Sequence, residues 1–93
     1  MEKPTQRERD ILDILQEECA EVIQAISKIR RFGWEGKHPD SEQTNSEHLE
    51  EELGDLTAMI NILVDTSRVN RYNIVAAELK KLDKLKKWTN ICD

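Results

Sequence analysis

Two acidic pairs carry the chemistry this chain could do. Glu18-x-x-Glu21 and Glu52-Leu53-Gly54-Asp55 each set two carboxylates three residues apart. On a helix such a pair is separated by about 60° around the axis and by one turn along it, so both groups project in nearly one direction. Glu18 falls between Ile14/Leu15 and Val22, and the second pair lies close to the line joining Leu49, Leu56 and Met59. Carboxylates at an apolar edge are unfavourable unless something offsets them, and like charges at this spacing make matters worse. Hard divalent cations provide that offset, because Mg²⁺ takes oxygen ligands and binds through carboxylates together with substrate phosphates. Di-metal carboxylate bundles use the same spacing, usually with a histidine partner. No histidine is suitably placed here, which favours Mg²⁺ or Mn²⁺ over zinc or iron. A lone Glu-x-x-Glu is more often a solvated face, and Glu47, Glu50 and Glu51 read that way. Gly54, without a side chain, would let another helix approach closely.

The elements that position these acids are helical. Thr5-Gln-Arg-Glu8 forms a capping box just after Pro4. Ile11, Ile14, Leu15, Val22, Ala25, Ile26 and Ile29 then recur at helical steps. Arg30 and Arg31 suit the helix C-terminus, and Gly33 stops it. Gly33 to Asn45 lacks periodicity and reads as a loop, with Trp34 and His38 as its distinctive side chains. Thr44-Asn-Ser-Glu47 offers a second capping box, and Leu49, Leu53, Leu56, Met59, Ile60, Leu63 and Val64 mark a second helix to about Arg68. Asn70 and Asn73 punctuate the next turn. A third helix follows, with Ile74, Ala77, Leu82 and Leu85 inward. The expected architecture is a single all-α domain over residues 1–93, an antiparallel bundle of three main helices.

Composition bounds the rest. A 93-residue chain with only four aromatic residues and 38% apolar content has limited material for a core. Such a chain completes its core by self-association, so a homo-oligomer, dimer or tetramer, is expected. The net charge of −5 argues against a nucleic-acid partner, whose phosphates call for a basic stripe. It does not exclude a phosphorylated small molecule, because bound cations invert the local charge. No apolar run approaches the roughly 18 to 20 residues of a membrane span. Cys19 and Cys92 read as reduced thiols, and with no targeting character at Met-Glu-Lys-Pro the expected location is the cytoplasm.

Glu17-Glu18-Cys19-Ala20-Glu21-Val22 and Glu51-Glu52-Leu53-Gly54-Asp55-Leu56 resemble the MazG-like family of all-α nucleotide pyrophosphohydrolases. The family pattern is Glu-Glu-x-x-Glu, a spacer, then Glu-x-x-Asp. Both halves match in order, and the resemblance covers roughly residues 5 to 69. It implies hydrolysis of a nucleoside triphosphate, a deoxy one above all, to the monophosphate and pyrophosphate. It also implies Mg²⁺ held by Glu18, Glu21, Glu52 and Asp55 while an activated water attacks the α-phosphorus. Glu17 is the additional acid of the first motif, a candidate to orient that water. Metal ions suit such a step, since they acidify water and neutralise developing phosphate charge.

In the family the third helix supplies groups that steady the phosphates. Lys80, Lys84 and Lys87 form one basic face here, and the bland alternative is a solvated surface favoured by the helix dipole. The family more usually shows arginine or asparagine there. Thirty residues separate Glu21 from Glu52, a long spacer whose extra length bears Trp34. That indole is a candidate to stack on a nucleobase, although a lone loop tryptophan more often packs on its own domain. The rival reading is a non-enzymatic helical dimerisation or adaptor module whose acidic edge binds a basic partner. It predicts neither turnover nor stabilisation by Mg²⁺.

Overall fold

The computed structural model describes residues 2–92 and contains three helices, α1 (Gln6–Phe32), α2 (Asn45–Asp65) and α3 (Arg71–Trp88). The chain divides into two compact units, the first reaching Leu63 and the second starting at Val64.

Local chemistry sets the bounds of α1. The Glu8 amide donates to Thr5 Oγ1 (3.1 Å) and the Thr5 amide donates to Glu8 Oε1 (2.8 Å), so the box forms in both directions. A cap of this kind contributes about 0.5–2 kcal/mol. At the other end Gly33 takes φ 85°, a left-handed conformation that a residue without Cβ adopts freely, and its amide donates to Ile29 O at 2.7 Å.

The second box forms the same way. Glu47 N donates to Thr44 Oγ1 and Thr44 N to Glu47 Oε1, both at 3.0 Å. α2 ends at Asp65, three residues before the expected Arg68. Ser67 adopts φ 65°, and Thr66 Oγ1 accepts from the Arg68 amide, so hydroxyl side chains divert the backbone from the helical pattern.

Between the helices the loop is tied by its own hydrogen bonds. Lys37 and Thr44 form an isolated antiparallel bridge. Asn45, which is buried, donates from its amide nitrogen to Gly36 O (2.8 Å) and from Nδ2 to Gly33 O (3.0 Å). Gly36 has no room for a side chain, since a Cβ there would lie 2.6 Å from Phe32 O and 2.9 Å from Asn45 Nδ2. Gly33 thus meets Asn45 near the connection, and Glu18 meets Glu52 and Asp55 farther from it. The two helices of the first unit therefore run antiparallel.

The second unit starts its helix with Asn70, whose Oδ1 accepts from Tyr72 N (2.7 Å) and Asn73 N (3.2 Å). Asn73 therefore lies in the first turn of α3 rather than in the preceding turn. No residue of α3 is buried. Ile74, Ala77 and Leu82 are exposed and Leu85 half-buried, contrary to the inward placement that their spacing suggested. Within its own unit α3 has no second layer against which to bury a stripe. Buried apolar side chains among the described residues are Ile11 and Ala25, both on α1.

Candidate metal centre

The first unit brings its two acidic pairs together. Glu18, Glu52 and Asp55 each offer one carboxylate oxygen, and these oxygens all lie within 4.8 Å of one another. The stripe geometry explains the burial. Glu52, three residues after Leu49 and four before Leu56, is only 7% exposed. Glu18, inside the α1 stripe, is half-buried, and Asp55 is exposed at the edge. Glu21 is exposed one turn beyond Glu18. It lies close enough to raise both Glu18 and Glu52, but outside the trio of mutually close oxygens.

Crowding shifts the acid–base chemistry. Glu52 is pushed up from 4.5 to about 7, first by its carboxyl–carboxyl contact with Glu21, then by burial and by the charges of Glu21, Asp55 and Glu18. Glu18 is raised too, chiefly by burial and then by Glu21 and Asp55, with a last contribution from Glu17. Two oxygens, Glu18 Oε2 and Glu52 Oε2, are buried with no hydrogen-bond partner. Buried acceptors without donors are costly, and a cation coordinated by both relieves the cost. The donor set is all oxygen, which suits hard divalent ions such as Mg²⁺ or Mn²⁺. The residues fit a metal.

A family model described as the MazG nucleotide pyrophosphohydrolase domain matches residues 6–89. The chain belongs to that family. In this MazG domain the matched span runs from the start of α1 to just past α3. No curated protein and no solved structure matches the chain. Among the described residues no helix is long and apolar enough to cross a membrane.

The MazG domain also places a histidine beside its acids. His48 Nε2 stands 3.3 Å from Glu52 Oε1, one helical turn back on α2. The reading that no histidine is suitably placed is corrected to this extent: His48 touches the cluster from outside, while the mutually close ligand atoms remain carboxylates. The i, i+4 spacing of His48 and Glu52 was the available signal. His48 also lines a cavity of about 380 Å³, whose walls include Lys28, Phe32, Lys37, His38 and Asn45. Sequence periodicity gives no warning of this cavity, because its walls come from a helix end, a loop and a helix start.

The other expected residues are exposed. The Trp34 side chain is 60% exposed, although its carbonyl accepts from Ser46 N at 2.9 Å. Glu17 is exposed. Lys80, Lys84 and Lys87 are exposed on α3, in the second unit, and Lys87 Nζ lies 3.2 Å from Asp83 Oδ2. A Cβ at Gly54 would meet nothing within 4 Å among the described residues.

Proposed function

We propose that this MazG domain hydrolyses a nucleoside triphosphate, a deoxynucleoside triphosphate foremost, to the monophosphate and pyrophosphate in a Mg²⁺-dependent reaction that Mn²⁺ also supports. The observation that carries this reading is the convergence of Glu18, Glu52 and Asp55 within 4.8 Å, with two buried oxygens lacking donors. Family membership supplies the reaction class. Glu18, Glu52 and Asp55 hold the cation. Glu21, whose charge bears on both Glu18 and Glu52, would supply a fourth carboxylate ligand. Glu17 is the remaining acid near Glu18 and orients water. When bound, divalent ions supply charge neutralisation for the triphosphate and acidify water.

The catalytic unit is a homo-oligomer in this reading. Ile14 and Ile26 are each 44% exposed, Leu53 45% and Ile23 64%, while only Ile11 and Ala25 are buried apolar groups among the described residues. So little interior is a weak basis for a stable monomer.

Purified protein incubated with Mg²⁺ and a panel of canonical and modified nucleoside triphosphates is expected to release pyrophosphate from at least one of them. Glu52→Gln is expected to abolish release while the helical circular-dichroism signal persists. Release that survives this substitution, or survives EDTA, contradicts the proposal.

A further inference from the structure

The reaction outlined above leaves one neighbour of the acidic cluster unused. His48 precedes Glu52 by one turn of α2 and places Nε2 3.3 Å from Glu52 Oε1. Among the described residues, it is the one basic side chain at ion-pair distance from Glu18, Glu21, Glu52 or Asp55. The contact distinguishes the two oxygens of Glu52. Oε1 faces the imidazole, whereas Oε2 is buried without a hydrogen-bond partner. His48 itself has a side chain only 29% exposed and also lines the cavity with Lys28 and Phe32. It is not a freely swinging surface group.

We propose that His48 is a positioning residue for the metal site: it holds one oxygen of Glu52 and so presents the other to the cation shared with Glu18 and Asp55. This inference rests on the metal reading given under Proposed function. A glutamate has three side-chain torsions to immobilise when it takes up an ion, and a contact that fixes them beforehand lowers that cost. Groups just outside a metal's ligands commonly orient those ligands and raise affinity in this way. Imidazole suits the task better than an ammonium or guanidinium group. In its neutral form it offers an N–H donor with no permanent charge to repel the incoming cation. The alternative is an ordinary i, i+4 pair on a helix surface, which would support the helix slightly and leave metal binding untouched.

Mn²⁺ binding to the full chain without nucleotide, followed by electron paramagnetic resonance of the free ion, separates the two. Wild type, His48→Gln, His48→Leu and His48→Ala are compared, with metal-free melting as the check on folding. The leucine and alanine variants are expected to bind Mn²⁺ on the order of 10-fold more weakly or worse. Glutamine, whose amide can donate to the same carboxylate, is expected to recover most of the loss. Having the alanine variant as well as leucine keeps the comparison decisive if one of them fails to fold. Binding by the leucine or alanine variant as tight as wild type overturns the role of His48 and leaves the metal reading standing. A glutamine variant as weak as leucine and alanine overturns it as well, because then the donor is not what matters. A wild-type protein that binds no Mn²⁺ removes the metal reading and this inference together.

Discussion

Glu18 and Glu52, on different helices, bring carboxylate oxygens within 4.8 Å of each other, and each keeps its Oε2 buried without a hydrogen-bond partner. Bare carboxylates so close repel one another, so the group favours keeping a proton where no cation offsets the charge. Asp55 brings a third oxygen to the same place. A divalent cation and that proton compete for the same group of acids.

The first consequence is a pH dependence of stability. Glu52 rises from 4.5 to about 7 on folding, so between those values the folded chain binds more protons than the unfolded one. Its contribution is fully present below 4.5, declines as pH rises through about 7, and is flat beyond. Glu47 acts with the opposite sign. Its bonds with the Thr44 amide and hydroxyl lower it, so its contribution is present above 4.5 and is lost as pH falls through its folded value. Melting in EDTA is expected at a lower temperature near pH 8 than near pH 5.5, and Mg²⁺ is expected to raise the pH 8 value more. Equal Tm at the two pH values, or no Mg²⁺ effect, contradicts this.

Glu52→Gln removes a buried charge from among like charges. Without metal the variant is expected to melt above wild type near pH 8, because repulsion and desolvation at that position disappear. Its Mg²⁺-induced shift should vanish and pyrophosphate release should fall by on the order of 100-fold or more. A variant less stable than wild type in EDTA would show that the carboxylate is held by favourable contacts rather than crowded.

Two glycines should respond in opposite directions to alanine. At Gly36 the new Cβ would lie 2.6 Å from the Phe32 carbonyl oxygen, so Gly36→Ala forces the loop apart and is expected to cost on the order of 1–3 kcal/mol in urea titration. At Gly54 the Cβ meets nothing within 4 Å, and alanine in a helix interior is better than glycine by about 0.5–1 kcal/mol. Gly54→Ala is expected to stabilise. A loss there would mean that a second chain packs against α2 at this point.

Sedimentation or light scattering tests the exposed apolar surface. With a chain of 10.9 kDa, the proposed oligomer appears at twice that mass or more. A stable particle at the single-chain mass contradicts the self-association that the exposed Ile23 and Leu53 suggest.

What the sequence made legible was mostly local. Thr5 with Glu8, and Thr44 with Glu47, sit three residues apart, and both boxes form where that spacing placed them. The meeting of Glu18 with Glu52 and Asp55 was legible because each pair rides an apolar stripe, and antiparallel stripes that pack bring their riders together. Other features depend on relations that periodicity does not encode. The burial of Ile74 and Leu82 was inferred from spacing alone, yet spacing says only which residues share a face and not whether anything covers it. α2 stops early where Thr66 Oγ1 accepts from the Arg68 amide and Ser67 turns to a positive φ. A histidine at i, i+4 from a glutamate is a common surface pair, and spacing does not show that the His48 imidazole reaches the acids.

The claim beneath all of this is that Glu18, Glu52 and Asp55 share a divalent cation, and a crystal soaked in Mn²⁺ tests it directly. The anomalous difference map is expected to show a peak bonded at about 2.0–2.2 Å to an oxygen of each of the three residues. A map with no peak there, or with the three carboxylates turned apart around ordered water, contradicts the account.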